Sequence, residues 1–131
     1  MPGSNYLIDT NIVIEVFSGD QEIADKINDL NGFFISSTIL GELFVGVYRV
    51  ANKTKHLKKL NAFLEVCGDI LLVDKITSEL FGEISASLYR KGKPIPSIDI
   101  WIAATAKQHK LTLITRYKHF NEIHGLNTVN W

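Results

Sequence analysis

The sequence predicts an α/β fold: a three-layer α/β/α sandwich around a central parallel sheet of about five strands, in one domain spanning residues 1–131. Two observations lead to it. Short apolar runs rich in β-branched residues alternate with longer stretches of helical period, and strands that alternate with helices assemble as parallel sheets covered on both faces. The composition agrees: 131 residues, 46% hydrophobic and 21% charged, describe an ordinary globular domain. A chain of that length buries roughly two thirds of the surface it would expose unfolded.

Taken in order, "YLI" at residues 6–8 is the first strand, and helices over 11–17 and 20–30 follow it. "FFI" from Phe33 is the second strand, leading into helices over 38–50 and 55–66. "ILLV" from Ile70 is the third, before a helix over 77–91. The stretch "RKGKPIPS", residues 90–97, ends that helix, because Gly92, Pro94 and Pro96 forbid its continuation. It is too short to separate two domains. A helix over 99–109, the strand "TLIT" from Thr112 and a last strand in "NTVN" complete the pattern. There is no internal repeat and no low-complexity tract.

Fourteen basic and fourteen acidic residues leave a net charge of zero. No global field marks a nucleic-acid binder, so any such function must rest on local charge. No apolar run has the length of a membrane span, and the opening "MPGSNY" lacks the basic-then-apolar layout of a secretion signal. The expected location is the cytoplasm, away from membrane. Cys67 is the single cysteine, which excludes an intramolecular disulfide or a cysteine zinc site; within "FLEVCG" it reads as a small buried hydrophobe. His56, His109, His119 and His124 share no metal-like spacing and read as surface or helix-end residues.

Three acids attract attention. Asp9 ends the first apolar run, where ligand sites gather beyond the carboxyl ends of parallel strands. It also precedes a helix, and "DTN" is good N-cap chemistry, so the stretch alone leaves both roles open. Glu42 lies in "SSTILGELFVGV". A capping box would need a glutamate three residues after the cap, but Ile39, Leu40 and Gly41 stand there. A solvated helix face, with Arg49 as partner, is the ordinary alternative. Gly41 and Gly46 beside it would let something approach closely. Asp99 opens "IDIWIAATA", apolar almost all round and therefore expected to be buried; buried aspartates are rare unless paired or metal-bound. Its alternative is a place in a first helical turn, where negative charge suits the dipole.

Other phosphate chemistries do not fit. Gly41 to Gly46 has the gap of a phosphate-cradling glycine loop, but Val47 and Tyr48 follow where lysine and serine or threonine must stand. Asp74 ends "ILLVD" as a phosphoacceptor would, yet Thr10 and Asn11 follow Asp9 where a signalling domain would carry a second acid. A dehalogenase-like phosphatase would want aspartate at position 11.

"LIDTNIVIEVF", "SSTILGELFVGV", "GKPIPSIDIWIAATAKQHKLTLITRYKHF" and "GLNTVNW", in that order across nearly the whole chain, resemble the PIN-domain family, in particular its VapC-type toxin ribonucleases. The resemblance implies Mg²⁺-dependent endonucleolytic cleavage of RNA, with Mn²⁺ as a substitute. It implies that Asp9, Glu42 and Asp99 form a metal-binding catalytic pocket, supported by the Thr10 and Thr115 hydroxyls. It further implies a VapB-type antitoxin encoded beside this protein, whose tail occupies the pocket, and a homodimer. Phe44, Val47 and Tyr48 are the candidates for the groove the antitoxin covers, with packing into the core as the equal alternative. The alternative reading is a catalytically weakened PIN-like module that binds RNA or protein.

Elementary chemistry supports such a pocket. Three carboxylates gathered from distant parts of a chain raise one another's pKa values unless a cation joins them. Mg²⁺ takes oxygen ligands and keeps several waters. For RNA, Arg116 and Lys118 beside the strand end are the expected phosphate contacts; the run at Lys53, Lys55, Lys58 and Lys59 reads as a solvated helix face, and Arg90, Lys91 and Lys93 form a second basic run. Tyr89 and Tyr117 are candidates for base stacking. The sequence departs from its family in one place: Tyr117 stands where many relatives carry a fourth acid, and a phenol is a poor Mg²⁺ ligand. Glu122, five residues on, is expected on a short solvated helix.

Overall fold

In the computed structural model, which describes residues 5–131, three parallel strands form the sheet. They are β1 (Tyr6–Ile8), β2 (Thr112–Thr115) and β3 (Thr128–Asn130), in the order β1-β2-β3. The first four residues of "MPGSNY" lie outside the described residues. Leu7 pairs with Leu113, Ile8 with Ile114, and Ile114 in turn with Val129. Neighbouring strand residues point to opposite faces, and Leu7, Ile8, Leu113, Ile114 and Thr115 are all buried, so the sheet is covered on both sides.

The sheet is narrower than the five strands expected. "FFI" and "ILLV" do not form strands; they extend the β1 edge through single parallel bridges, Leu7 to Phe34 and Ser36 to Leu71. The reason is local. Ser36 caps a helix through its hydroxyl, which accepts from Ile39 N at 3.2 Å, so the backbone leaves the ladder after one step. On the next segment Leu72 and Val73 are exposed and Asp74 already caps a helix.

Among the described residues six helices connect these segments: α1 (Thr10–Phe17), α2 (Gln21–Asn28), α3 (Ser37–Arg49), α4 (Lys53–Val66), α5 (Lys75–Lys91) and α6 (Ser97–Gln108), with a 3-10 turn at Lys118–Glu122. Five of the six start one or two residues before the apolar period predicts, because polar caps or first-turn residues precede it. Asp9, Asp20, Ser36, Asn52 and Asp74 each accept a first-turn backbone N–H. Gly92 ends α5 in the left-handed conformation at φ 68°, as the "RKGKPIPS" break requires.

Helix α6 is the central one. Ile102, Ala103, Ala104, Thr105 and Ala106 are fully buried, and the small side chains let α5 pack closely along it. Trp101 of α6 stacks on Phe81 of α5 with centroids 4.0 Å apart. Asp74, the acid that resembled a phosphoacceptor, is structural. It forms a capping box with Thr77 and accepts from Gln108 Nε2 at 3.0 Å, tying the start of α5 to the end of α6. Cys67 ends α4 half-buried, and burial pushes its thiol pKa up, which suits an unreactive side chain.

Candidate active site

The parallel register assembles the site. One step beyond the Ile8 to Ile114 pair, Asp9 N donates to Ile114 O at 2.9 Å, which sets Asp9 beside Thr115. Thr115 Oγ1 donates to Asp9 Oδ2 at 2.7 Å, and Asn11 Nδ2 donates to the same oxygen at 3.0 Å. Thr10 N donates to Asp9 Oδ1 at 2.8 Å. Asp9 is therefore the cap of α1 and, with the same carboxylate, the centre of a polar network that is nearly closed to solvent.

Helix α3 packs against α1 and α6 and carries Glu42 into this network. Thr10 Oγ1 donates to Glu42 Oε1 at 2.5 Å; Glu42 is thus held by α1 and makes no pair with Arg49. Asp99 lies in the first turn of α6, whose cap is Pro96 without a side-chain bond. The first-turn place that suits a negative charge is therefore the one Asp99 occupies, although its side chain caps no backbone N–H. Its Oδ2 lies 2.9 Å from His119 Nε2 instead.

Both aspartates are electrostatically costly. Burial raises the Asp9 pKa above its ordinary value; the bonds from Thr115, Thr10 and Asn11 pull it back, and the charge of Asp99 pushes it up again. Burial likewise raises that of Asp99, opposed by His119 and reinforced by Glu42. Asp99 is thus within electrostatic reach of both other acids. Among the described residues no lysine or arginine makes an ion pair with any of the three.

The metal question can be put to the donors themselves. Carboxylate, hydroxyl and amide oxygens suit a hard divalent ion, and a cation would relieve the raised carboxylates. Among the described residues, no three His, Cys, Asp or Glu side chains converge as a preformed cage. Mg²⁺ commonly takes one or two carboxylates and completes its shell with water and substrate phosphate, so the donor chemistry fits.

Arg116 borders the site, but its guanidinium pairs with Glu15 at 3.2 Å and Asp20 at 3.7 Å, while its N–H donates to Asn11 Oδ1 at 3.1 Å. Lys118 is exposed and, among the described residues, in no ion pair. Tyr117 is half exposed and stacks on His119 at 5.1 Å. Glu122 lies on the 3-10 turn as expected and pairs with Lys91 and Lys93 at 3.8 and 3.3 Å, away from the acids. Gly41 and Gly46 do not serve a close approach within the chain, since an added Cβ at either meets nothing within 4 Å. Of the groove candidates, Val47 is buried, Phe44 half-buried and Tyr48 exposed. Val47 lines, with Ile14, Leu43 and Gly46, a hollow between α1 and α3 that reaches Glu42.

Two residues of the network have no assigned role in the sequence reading. Asn11 was available in "DTN", where its place after two cap residues disguised it. His119 had no local signal, because its partner lies twenty positions away on another element.

The PIN-domain family model matches residues 6–126, and the chain belongs to that family. Within it the chain is similar to VapC ribonucleases. It is 33% identical to ribonuclease VapC2 of Haemophilus influenzae, covering 96% of this chain and 97% of that protein. It is 29% identical, over the same shares, to the tRNA(fMet)-specific endonuclease VapC of Shigella flexneri. The crystal structure of VapBC2 from Rickettsia felis, bound to a DNA fragment from its promoter, superposes with a TM-score of 0.91 at 29% identity, over 96% of this chain and 98% of that one.

Proposed function

We propose that this protein is the toxin of a type II toxin-antitoxin pair, an endoribonuclease that cleaves RNA phosphodiester bonds with Mg²⁺, or Mn²⁺ in its place, held at Asp9, Glu42 and Asp99. The observation that carries the proposal is the pair of buried aspartates with raised pKa values. They come from opposite ends of the chain, Asp99 is within electrostatic reach of both Asp9 and Glu42, and among the described residues neither aspartate has a lysine or arginine partner. Buried carboxylates held close to one another without a lysine or arginine are costly, and such groups cluster at functional sites.

When bound there, the ion would polarise the scissile phosphate, activate a water and neutralise the leaving oxygen. The chain's own residues do the rest. Thr115, Thr10 and Asn11 orient the Asp9 carboxylate, and the Thr10 hydroxyl does the same for Glu42. Lys118 is the phosphate contact expected to act, since Arg116 is occupied by Glu15 and Asp20. Arg116 positions Asn11 through its backbone N–H.

The similarity to proteins solved as VapBC complexes supports a VapB-type antitoxin partner and self-association as a homodimer. The hollow that runs to Glu42 is a suitable path for an apolar antitoxin segment ending at the acids. Among the described residues no helix is long and apolar enough to cross a membrane, in keeping with action in the cytoplasm. The weakened binding module keeps one observation in its favour, the absence of a preformed three-residue cage.

Purified protein, incubated with RNA in the presence of Mg²⁺ or of a chelator, separates the two readings. The wild type is expected to cut only with the ion, and Asp9→Asn or Asp99→Asn to fold and lose nearly all cleavage. Metal-independent cutting, or wild-type turnover by either variant, would overturn the enzyme assignment.

A further inference from the structure

Tyr117 borders the acids and has no role in the mechanism above. It is the outer member of a row of aromatic rings. Phe120 is fully buried, the His119 ring tilts against it with centroids 4.8 Å apart, and the Tyr117 ring stacks on His119 at 5.1 Å and 28°. The row runs from the core to the surface, where Tyr117 is 49% exposed. Among the described residues no other ring packs on Tyr117, so the face turned away from His119 has no aromatic cover.

Backbone and ring are both tied to the acids. The Tyr117 N–H donates to Thr115 Oγ1 at 3.0 Å, and the same hydroxyl donates to Asp9 Oδ2 at 2.7 Å. On the ring side, His119 Nε2 lies 2.9 Å from Asp99 Oδ2. The flanking chain is held as well: Arg116 N donates to Asn11 Oδ1 at 3.1 Å, and the 3-10 turn begins at Lys118. The ring is therefore fixed before anything binds, which lowers the ordering cost of a contact. Tyr89, the other exposed tyrosine considered for stacking, packs on no ring among the described residues and lacks this preparation.

A fixed, half-open aromatic ring beside a site that cuts phosphodiesters suits a flat heteroaromatic base, since every nucleobase has a π-face. In a duplex both faces of a base are covered by its neighbours, so only an unpaired base can lie on the ring. The next residue, Lys118, is exposed and in no ion pair among the described residues, and it can meet the phosphate of the same strand. We propose that Tyr117 is a specificity-determining residue: its ring stacks on an unpaired base next to the scissile phosphate, so that this chain cuts RNA in single strands or loops and prefers a purine at the stacked position. The inference rests on the nuclease reading above and deepens it. A purine lays two fused rings on the tyrosine where a pyrimidine lays one. The contact uses the π-face and not the hydroxyl, so phenylalanine can replace Tyr117 and leucine cannot.

Short uridine oligoribonucleotides, with one fluorescent 2-aminopurine in the middle or with none, test this. Binding is measured with a chelator present and, in the cleavage-silenced Asp9→Asn chain, with Mg²⁺. The full chain is expected to quench the 2-aminopurine emission and to bind that strand more tightly than the all-uridine one; a duplex of the same sequence should compete at least ~10-fold less well. Tyr117→Leu should lose the quenching and bind the purine strand ~10-fold more weakly, while Tyr117→Phe keeps both. Quenching by the unaltered chain and by Tyr117→Phe decides the matter even if the leucine variant does not fold. RNA binding without quenching, or equal quenching by Tyr117→Leu, overturns the proposal and leaves the nuclease reading standing. Unchanged quenching together with lost self-association in Tyr117→Leu overturns it in favour of a protein contact. A chain that binds no RNA under either condition overturns both the proposal and the nuclease reading beneath it.

Discussion

Replacing Thr115 by valine keeps the side-chain shape and removes one hydroxyl that three neighbours use. Oγ1 donates to Asp9 Oδ2 at 2.7 Å and accepts from Asn11 Nδ2 at 3.3 Å and from Tyr117 N at 3.0 Å; the residue is fully buried. The bond to Asp9 involves a charged acceptor, for which the net contribution is about 1.5–3 kcal/mol, and an orphaned donor adds about 1–3 kcal/mol. Tyr117 is half exposed and its N–H gains water, and Asn11 still serves Asp9, so the expected loss near neutral pH is about 2–4 kcal/mol. The loss should depend on pH. Burial raises the Asp9 pKa, and the Thr115 bond is the foremost group holding it down. Without that bond Asp9 takes up its proton at higher pH in the folded variant than in the folded wild type. The variant therefore recovers stability as the solution is acidified through that range, while the bond to the charged form matters less and less. Urea unfolding near pH 7 and again near pH 5 measures both values. Equal losses at the two pH values, or a loss below about 0.5 kcal/mol near pH 7, would refute the claim that this hydroxyl holds the Asp9 charge.

Asp74→Ala should lower the melting temperature at neutral pH. The cap bond from Thr77 N and the bonds from Gln108 depress the Asp74 pKa below 3.8, so its stabilisation is present above that value and lost as pH falls through the folded one; the gap to wild type must close in acid, and a pH-independent gap would assign the loss to packing. Gly68→Ala would set a Cβ 2.9 and 3.1 Å from the Phe34 ring and 3.3 Å from Phe33 O, for an expected loss of about 1–3 kcal/mol in chemical unfolding. Gly41→Ala on the open face of α3 is the control, with an expected gain of up to about 1 kcal/mol from helix propensity. A destabilised Gly41 variant would mean that this face is packed in solution, as in a homodimer.

The sequence by itself determined the order of the elements, the helix limits to within two residues and the parallel sense of the sheet, because caps, apolar period and glycine or proline breaks act over a few neighbouring residues. It also singled out Asp9, Glu42 and Asp99, since a carboxylate at a strand end, on a helix without capping geometry or in an apolar helix conflicts with its local surroundings. Only the tertiary structure decided how wide the sheet is: whether Phe34 and Leu71 build strands or single bridges depends on the competition between a ladder and the helix caps at Ser36 and Asp74. Only the tertiary structure distributed the partners. Arg116, expected beside phosphate, pairs with Glu15 and Asp20, Glu122 with Lys91 and Lys93, and His119 arrived beside Asp99 from a separate turn. Local chemistry can tell that a charge is costly, but which group answers it is set by distances between segments far apart in the chain, and those exist only once the core has packed.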